Sequence, residues 1–140
     1  MRAPALALWH RGRVSSEISQ AAFARFIAAL HAPRDAAILT AAVDDDVHIE
    51  RHAPGPRGAI TAIAESFAGS RAVAGWLART PPVVRFSLAG TPSLDGEVWL
   101  VEYAIDAGEF HNGGLWRARL AGDGRIAFLS HHPFALPDDR

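Results

Sequence analysis

The stretch from Glu97 to Phe134, EVWLVEYAIDAGEFHNGGLWRARLAGDGRIAFLSHHPF, constrains this chain more than any other. It predicts three successive antiparallel strands. Val98–Ile105 and Phe110–Leu120 flank the turn residues Asp106, Ala107 and Gly108. Leu120 and Ile126 flank Ala-Gly-Asp-Gly, a tight reversal in which Gly122 and Gly124 tolerate positive φ. Such a meander must lay one face on apolar side chains, and the first half of the chain offers helices to cover it.

The first half divides at its breakers. Residues 1–15 read as an arm or short extra strand, after which Ser15 or Ser16 can cap a helix carrying Ile18, Ala22, Phe23, Phe26, Ile27 and Leu30 on one face. Pro33 breaks it, and Asp35 caps a second helix with Ile38, Leu39, Ala42 and Val43 inward. Asp44, Asp45 and Asp46 would meet the negative end of that helix dipole, so a solvated turn is expected there. Val47–His52 reads as a strand and Pro54–Gly58 as a loop. Ile60, Ile63, Ala64 and Phe67 have helical spacing, with an extension through Val73, Trp76 and Leu77 as far as Pro81-Pro82. Val83–Ala89 begins the main sheet. Helix, helix, strand, helix and four strands make an α+β domain, and 140 residues are one domain by size.

Composition removes whole classes of function. A formal net charge of −1 gives no electrostatic footprint for nucleic acid. The chain has no cysteine, which excludes disulfides, thiolate nucleophiles and zinc–thiolate sites. The apolar run after Met1 is too short for a signal peptide, and no stretch reaches transmembrane length, so a cytoplasmic protein without membrane contact is expected. His48 and His52 on a strand would lie about 13 Å apart, and His131 and His132 point to opposite faces, so no metal site is expected. The serines lie in no nucleophile elbow and no Gly-rich phosphate loop occurs.

Two blocks carry a resemblance: FARFIAALHAPRDAAILTAAVDDDVHIERHAPGPRGAITAIAESF, and FHNGGLWRARLAGDGRI with its aromatic-rich strand and its turn into the last strand. Over roughly Ile18 to Phe134 the chain resembles the nuclear transport factor 2-like superfamily, which includes SnoaL-like polyketide cyclases and ketosteroid isomerases. The resemblance implies a cone: a strongly bent, mainly antiparallel sheet wrapped by three N-terminal helices, with a pocket between helices and concave face. It also implies a homodimer through the outer face, where Val98, Leu100, Leu115 and Phe128 fall, and no cofactor.

Side-chain alternation tests the register independently. Phe110, Asn112, Gly114, Trp116, Ala118 and Leu120 form the more apolar set of one strand, and Trp99, Val101, Tyr103 and Ile105 that of its neighbour. The family register adds Phe26, Leu30, Ile49, Arg51, Leu129 and His131 to the pocket. It also puts Arg51 and Trp116 where ketosteroid isomerases hold their two carboxyl groups, and Phe26 in place of a tyrosine. An arginine is not deprotonated and an indole only donates, so ketosteroid isomerisation is not expected.

The expectation is therefore a pocket for a small, apolar or aromatic molecule, bordered by Phe26, Leu30, Ile49, Trp99, Val101, Trp116 and Leu129. In a cofactor-independent isomerase, lyase, cyclase or hydrolase, His131 would transfer the proton, and Arg51 or Asn112 would stabilise an anionic oxygen. The alternative is a non-catalytic binding or association module of the same fold. Each residue also has a plainer role: His131 as a core histidine bonded to a carbonyl, Arg51 paired with Glu50, Asp46 or Glu102, and the tryptophans as core.

Overall fold

The computed structural model describes residues 3–79, 81 and 83–136, with side chains from residue 16 onward. The order is α1 (Ala3–His31), α2 (Ala36–Ala42), β1 (Val43–His52), β2 (Ile63–Ala68), α3 (Ser70–Leu77), β3 (Arg85–Leu88), β4 (Ser93–Asp95), β5 (Val98–Ala107), β6 (Phe110–Leu120) and β7 (Ile126–Pro133). The seven strands form one sheet in the order β2-β1-β7-β6-β5-β3, with β4 also on β5. β1 and β7 run parallel and every other pairing is antiparallel. This is the expected α+β class, with a mixed, mainly antiparallel sheet. Among the described residues no helix is long and apolar enough to cross a membrane.

The C-terminal meander matches its pattern closely. β5 alternates buried Trp99, Val101 and Tyr103 with half-buried Val98, Leu100 and Glu102, and β6 buries Gly114, Trp116 and Ala118 on the same face. Val101 pairs with Trp116 and Tyr103 with Gly114, so these side chains share one side of the sheet. That inner face takes Phe23, Phe26, Ala29 and Leu30 of α1, Leu39 of α2, and Val73 and Leu77 of α3 into a single core with Val47, Ile49 and Leu129.

The N-terminal half departs from expectation in three places. α1 begins at Ala3, so residues 3–15 continue the helix where an arm or strand was expected, and Ser16 lies within it. Asp35 does cap α2, its Oδ1 accepting from Ala37 and Ile38 N–H at 3.1 and 3.2 Å. Asp44–Asp46, however, belong to β1. The register of β1 on β7 shifts between Val43 and His48, and Arg125 sits against this irregular stretch, 3.2 Å from Asp44 and 3.9 Å from Asp45. A cation supplied by the β6–β7 turn makes an acidic strand start tolerable.

The third departure is the largest. Ile63–Ala68, expected to be helical, is a strand paired antiparallel with β1, and helix begins only at Ser70. Ile60 and Ile63 are 70% and 52% exposed, so the apolar spacing there marks no buried helix face. Gly69, at φ +87 and ψ 150, makes the switch from strand to helix in a region essentially reserved for glycine, where a residue with a Cβ is strained by about 1–3 kcal/mol. Pro82, the second half of the expected stop, lies outside the described residues.

Candidate functional site

Register sets a row of chemically distinct side chains across the inner face. Glu65 on β2 pairs with Arg51 on β1, Arg51 with His131 on β7, His131 with Trp116 on β6, and Trp116 with Val101 on β5. At one end Arg51 donates from Nε to Glu65 at 2.8 Å, and Arg79, beyond α3, reaches the same carboxylate at 3.3 Å. The hydrogen bond from Arg51 is the main cause that holds the Glu65 carboxyl below its usual range; burial opposes it, and Arg79 adds a smaller lowering. Two cations thus share one anion, and both Arg51 and Glu65 stay about a third exposed. The partner of Arg51 is Glu65 rather than Glu50, Asp46 or Glu102.

His131 occupies the middle of the row, enclosed by the rings of Trp116, Tyr103 and Trp76 although a part of it reaches solvent. Trp116 Nε1–H donates to its Nδ1 at 2.9 Å, and its Nε2 lies 3.1 Å from the Tyr103 hydroxyl. An indole nitrogen only donates, so Nδ1 must be an acceptor. The neutral imidazole then carries its proton on Nε2 and donates it to Tyr103. Burial first, then the charges of Arg51, His132 and His52, lower the His131 pKa to about 3. The ring is neutral at ordinary pH, and neither nitrogen has a lone pair to spare for a substrate proton.

The remaining expected residues divide between core and edge. Phe26, Ile49, Val101, Trp116 and Leu129 are fully or almost fully buried, and Trp99 retains 8% exposure. Trp116 is sandwiched among Phe23 (6.1 Å, stacked), Tyr103 (4.5 Å, stacked) and Phe86 (6.2 Å, stacked), with the edge of Phe26 at 5.3 Å. These rings fill the space beside His131. Asn112 is separate: it lies four residues along β6 from Trp116, about 13 Å, and its amide donates to the Phe134 carbonyl at 3.0 Å.

An open cavity lies elsewhere. Leu30, His31, Ala32, Pro33, Arg34 and Asp35, with Ala78 after α3 and Val84 before β3, line a space of about 610 Å³. Of the expected pocket residues, Leu30 belongs to it. His31 closes α1, and its Nε2 accepts from the Phe86 backbone N–H at 2.9 Å. A backbone N–H only donates, so the same logic places the His31 proton on Nδ1. Burial, then Arg85, lower its pKa, which keeps the ring neutral. The lining therefore combines apolar residues with a neutral histidine, protonated on Nδ1, and Arg34.

On the outer face, His132 bonds Ser130 (2.7 Å) and packs against His52, ring centroids 4.2 Å apart. Glu50 lies 3.4 Å from His48 and 3.5 Å from His52. Among the described residues no group of three or more such side chains is placed to hold a metal.

Glu65, Trp76, Phe86 and His31 were absent from the expected site, and Tyr103 figured there only as an apolar wall. Glu65 was hidden by the helical spacing of Ile60, Ile63, Ala64 and Phe67 around it. His31, two residues before a helix-breaking proline, was the legible clue to the cavity.

No family model matches the sequence, and no curated protein does. Solved structures match the fold. A proposed isomerase of the SnoaL-like family from Agrobacterium tumefaciens superposes with a TM-score of 0.64 at 18% identity, covering 85% of this chain and 99% of that one. A proposed ketosteroid isomerase from Kribbella flavida gives 0.65 at 15% identity, covering 86% and 80%. An LEH-like epoxide hydrolase from M. tuberculosis gives 0.55 at 23% identity, covering 84% and 83%. The chain has the nuclear transport factor 2-like fold.

Proposed function

We propose that this protein binds a small, largely apolar molecule, without a cofactor, in the cavity between the end of α1, Ala78 and Val84. The observation that carries this is the cavity itself: about 610 Å³ lies within the size range of ligand sites, and apolar walls surround a few oriented polar groups. His31 is the group that would orient the ligand, presenting Nδ1–H to an oxygen acceptor while Phe86 holds its other nitrogen. Native mass spectrometry after incubation with a panel of small apolar acids, alcohols and ketones tests this. One adduct per chain is expected, and it should vanish in Val84→Trp, where an indole fills the space. An adduct that survives that substitution contradicts the site.

Catalysis is the second reading, supported by the row Glu65–Arg51–His131 and by the isomerases and hydrolase that share the fold. Proton transfer by His131, with Arg51 stabilising an anionic oxygen, would require Trp116 or Tyr103 to release the imidazole. That requirement ranks it below binding. The outer face supports association as a homodimer, since Val98, Leu100, Leu115 and Phe128 are only half-buried on a single chain.

A further inference from the structure

The ligand of this cavity has a legible chemistry, on the premise that the cavity is the binding site. We propose that it is a small carboxylic acid, its carboxylate seated between the His31 Nδ1–H and the Arg34 guanidinium and its apolar body against Leu30, Pro33, Ala78 and Val84.

The charges around the cavity favour an anion. Arg34 lines it, is exposed, and among the described residues has no carboxylate partner. Arg85 stands close enough for its charge to act on His31. The opposing charge is Asp35, and its Oδ1 is committed to the Ala37 and Ile38 amides at the start of α2. Of the two charged side chains in the lining, Asp35 is engaged at the start of α2 and Arg34 is left open to a ligand. His31 contributes a donor and no free acceptor, because Phe86 N–H already occupies Nε2. A group that only accepts, as an ionised carboxylate does, suits that pair. An alcohol can use the His31 donor too but gains little from the guanidinium. Since Arg34 offers a planar fork of N–H groups, it can hold both carboxylate oxygens.

Isothermal titration calorimetry at neutral pH with 2-naphthoate and 2-naphthalenemethanol, alike in their rings and different in charge, tests this. The acid should bind at least about tenfold more tightly than the alcohol. Arg34→Ala, an exposed position that the fold does not need, should remove most of that advantage and change the alcohol less than about twofold. Added salt should weaken the acid alone, because the guanidinium is open to solvent. An alcohol that binds as tightly as the acid, or an acid preference that survives Arg34→Ala, overturns the carboxylate proposal and leaves the cavity reading standing. If neither probe binds at millimolar concentration, or if naphthoate binds Val84→Trp unchanged, the cavity reading falls and takes this proposal with it.

Discussion

At the scale of single residues, the imidazole of His131 shows how a hydrogen-bond partner decides a role. Its position on the inner face, opposite Trp116, follows from strand register. What it can do there follows from Trp116, whose indole N–H turns Nδ1 into an acceptor and sends the only proton to Tyr103. The same neutrality couples stability to pH. His131 has a folded pKa near 3 against an ordinary 6.5, and burial first lowers His132 to about 4. Between those values and 6.5 the unfolded chain binds more protons than the folded one, so stability is complete above about pH 6.5 and declines as pH falls. Urea unfolding should give a lower stability at about pH 5 than at pH 7.5. That difference should shrink in His131→Ala, which will also be weaker overall by about 1–3 kcal/mol for each buried partner it orphans. An undiminished pH difference in the variant would contradict the assigned neutrality.

At the scale of elements, strands were legible where alternation was backed by turn chemistry, and obscure where two periodicities fitted the same residues. β6 spans the eleven residues its pattern indicated, between Gly108 and the Ala-Gly-Asp-Gly reversal. β2 resembles a helix in sequence because Ile60, Ile63, Ala64 and Phe67 match a helical face. Only pairing with β1 and the left-handed Gly69 settle it as a strand, and the former is a non-local contact that no window of sequence contains. Glu65 was lost with it. Close approach also explains a glycine that spacing could not. A Cβ on Gly114 would stand 2.3 Å from the Tyr103 hydroxyl and 2.5 Å from the His132 carbonyl, so β5, β6 and β7 meet there without room for a methyl group. Gly114→Ala should cost about 1–3 kcal/mol or more and displace Tyr103 from His131. Gly122→Ala, with nothing within 4 Å, should be close to neutral by the same denaturation measurement. Equal effects at the two positions would mean that the strands can part at little cost.

At the scale of the whole molecule, layer order and class were readable from the meander and the helical faces, whereas the location of open space was not. The expected wall residues face inward, yet their aromatic rings pack on one another around Trp116, and volume is a property of that packing rather than of any pattern. An open cavity of about 610 Å³ falls instead at the α1–α2 corner. The sheet's other side bears on assembly: its half-buried Val98, Leu100, Leu115 and Phe128 should be covered by a second copy, and light scattering at micromolar concentration should return twice the mass of one chain. The mass of a single chain would reject the dimer.

The most direct test of the binding account is a two-dimensional ¹H–¹⁵N NMR titration with 2-naphthoate. Shifts should concentrate at the Phe86 amide, which His31 holds, and at the amides of Leu30, His31, Ala32, Arg34, Asp35, Ala78 and Val84, with the Trp116 indole N–H unmoved. Shifts at the Trp116 indole and the amides around Arg51 and His131, with Phe86 and Val84 silent, would place the ligand in the aromatic interior and contradict it.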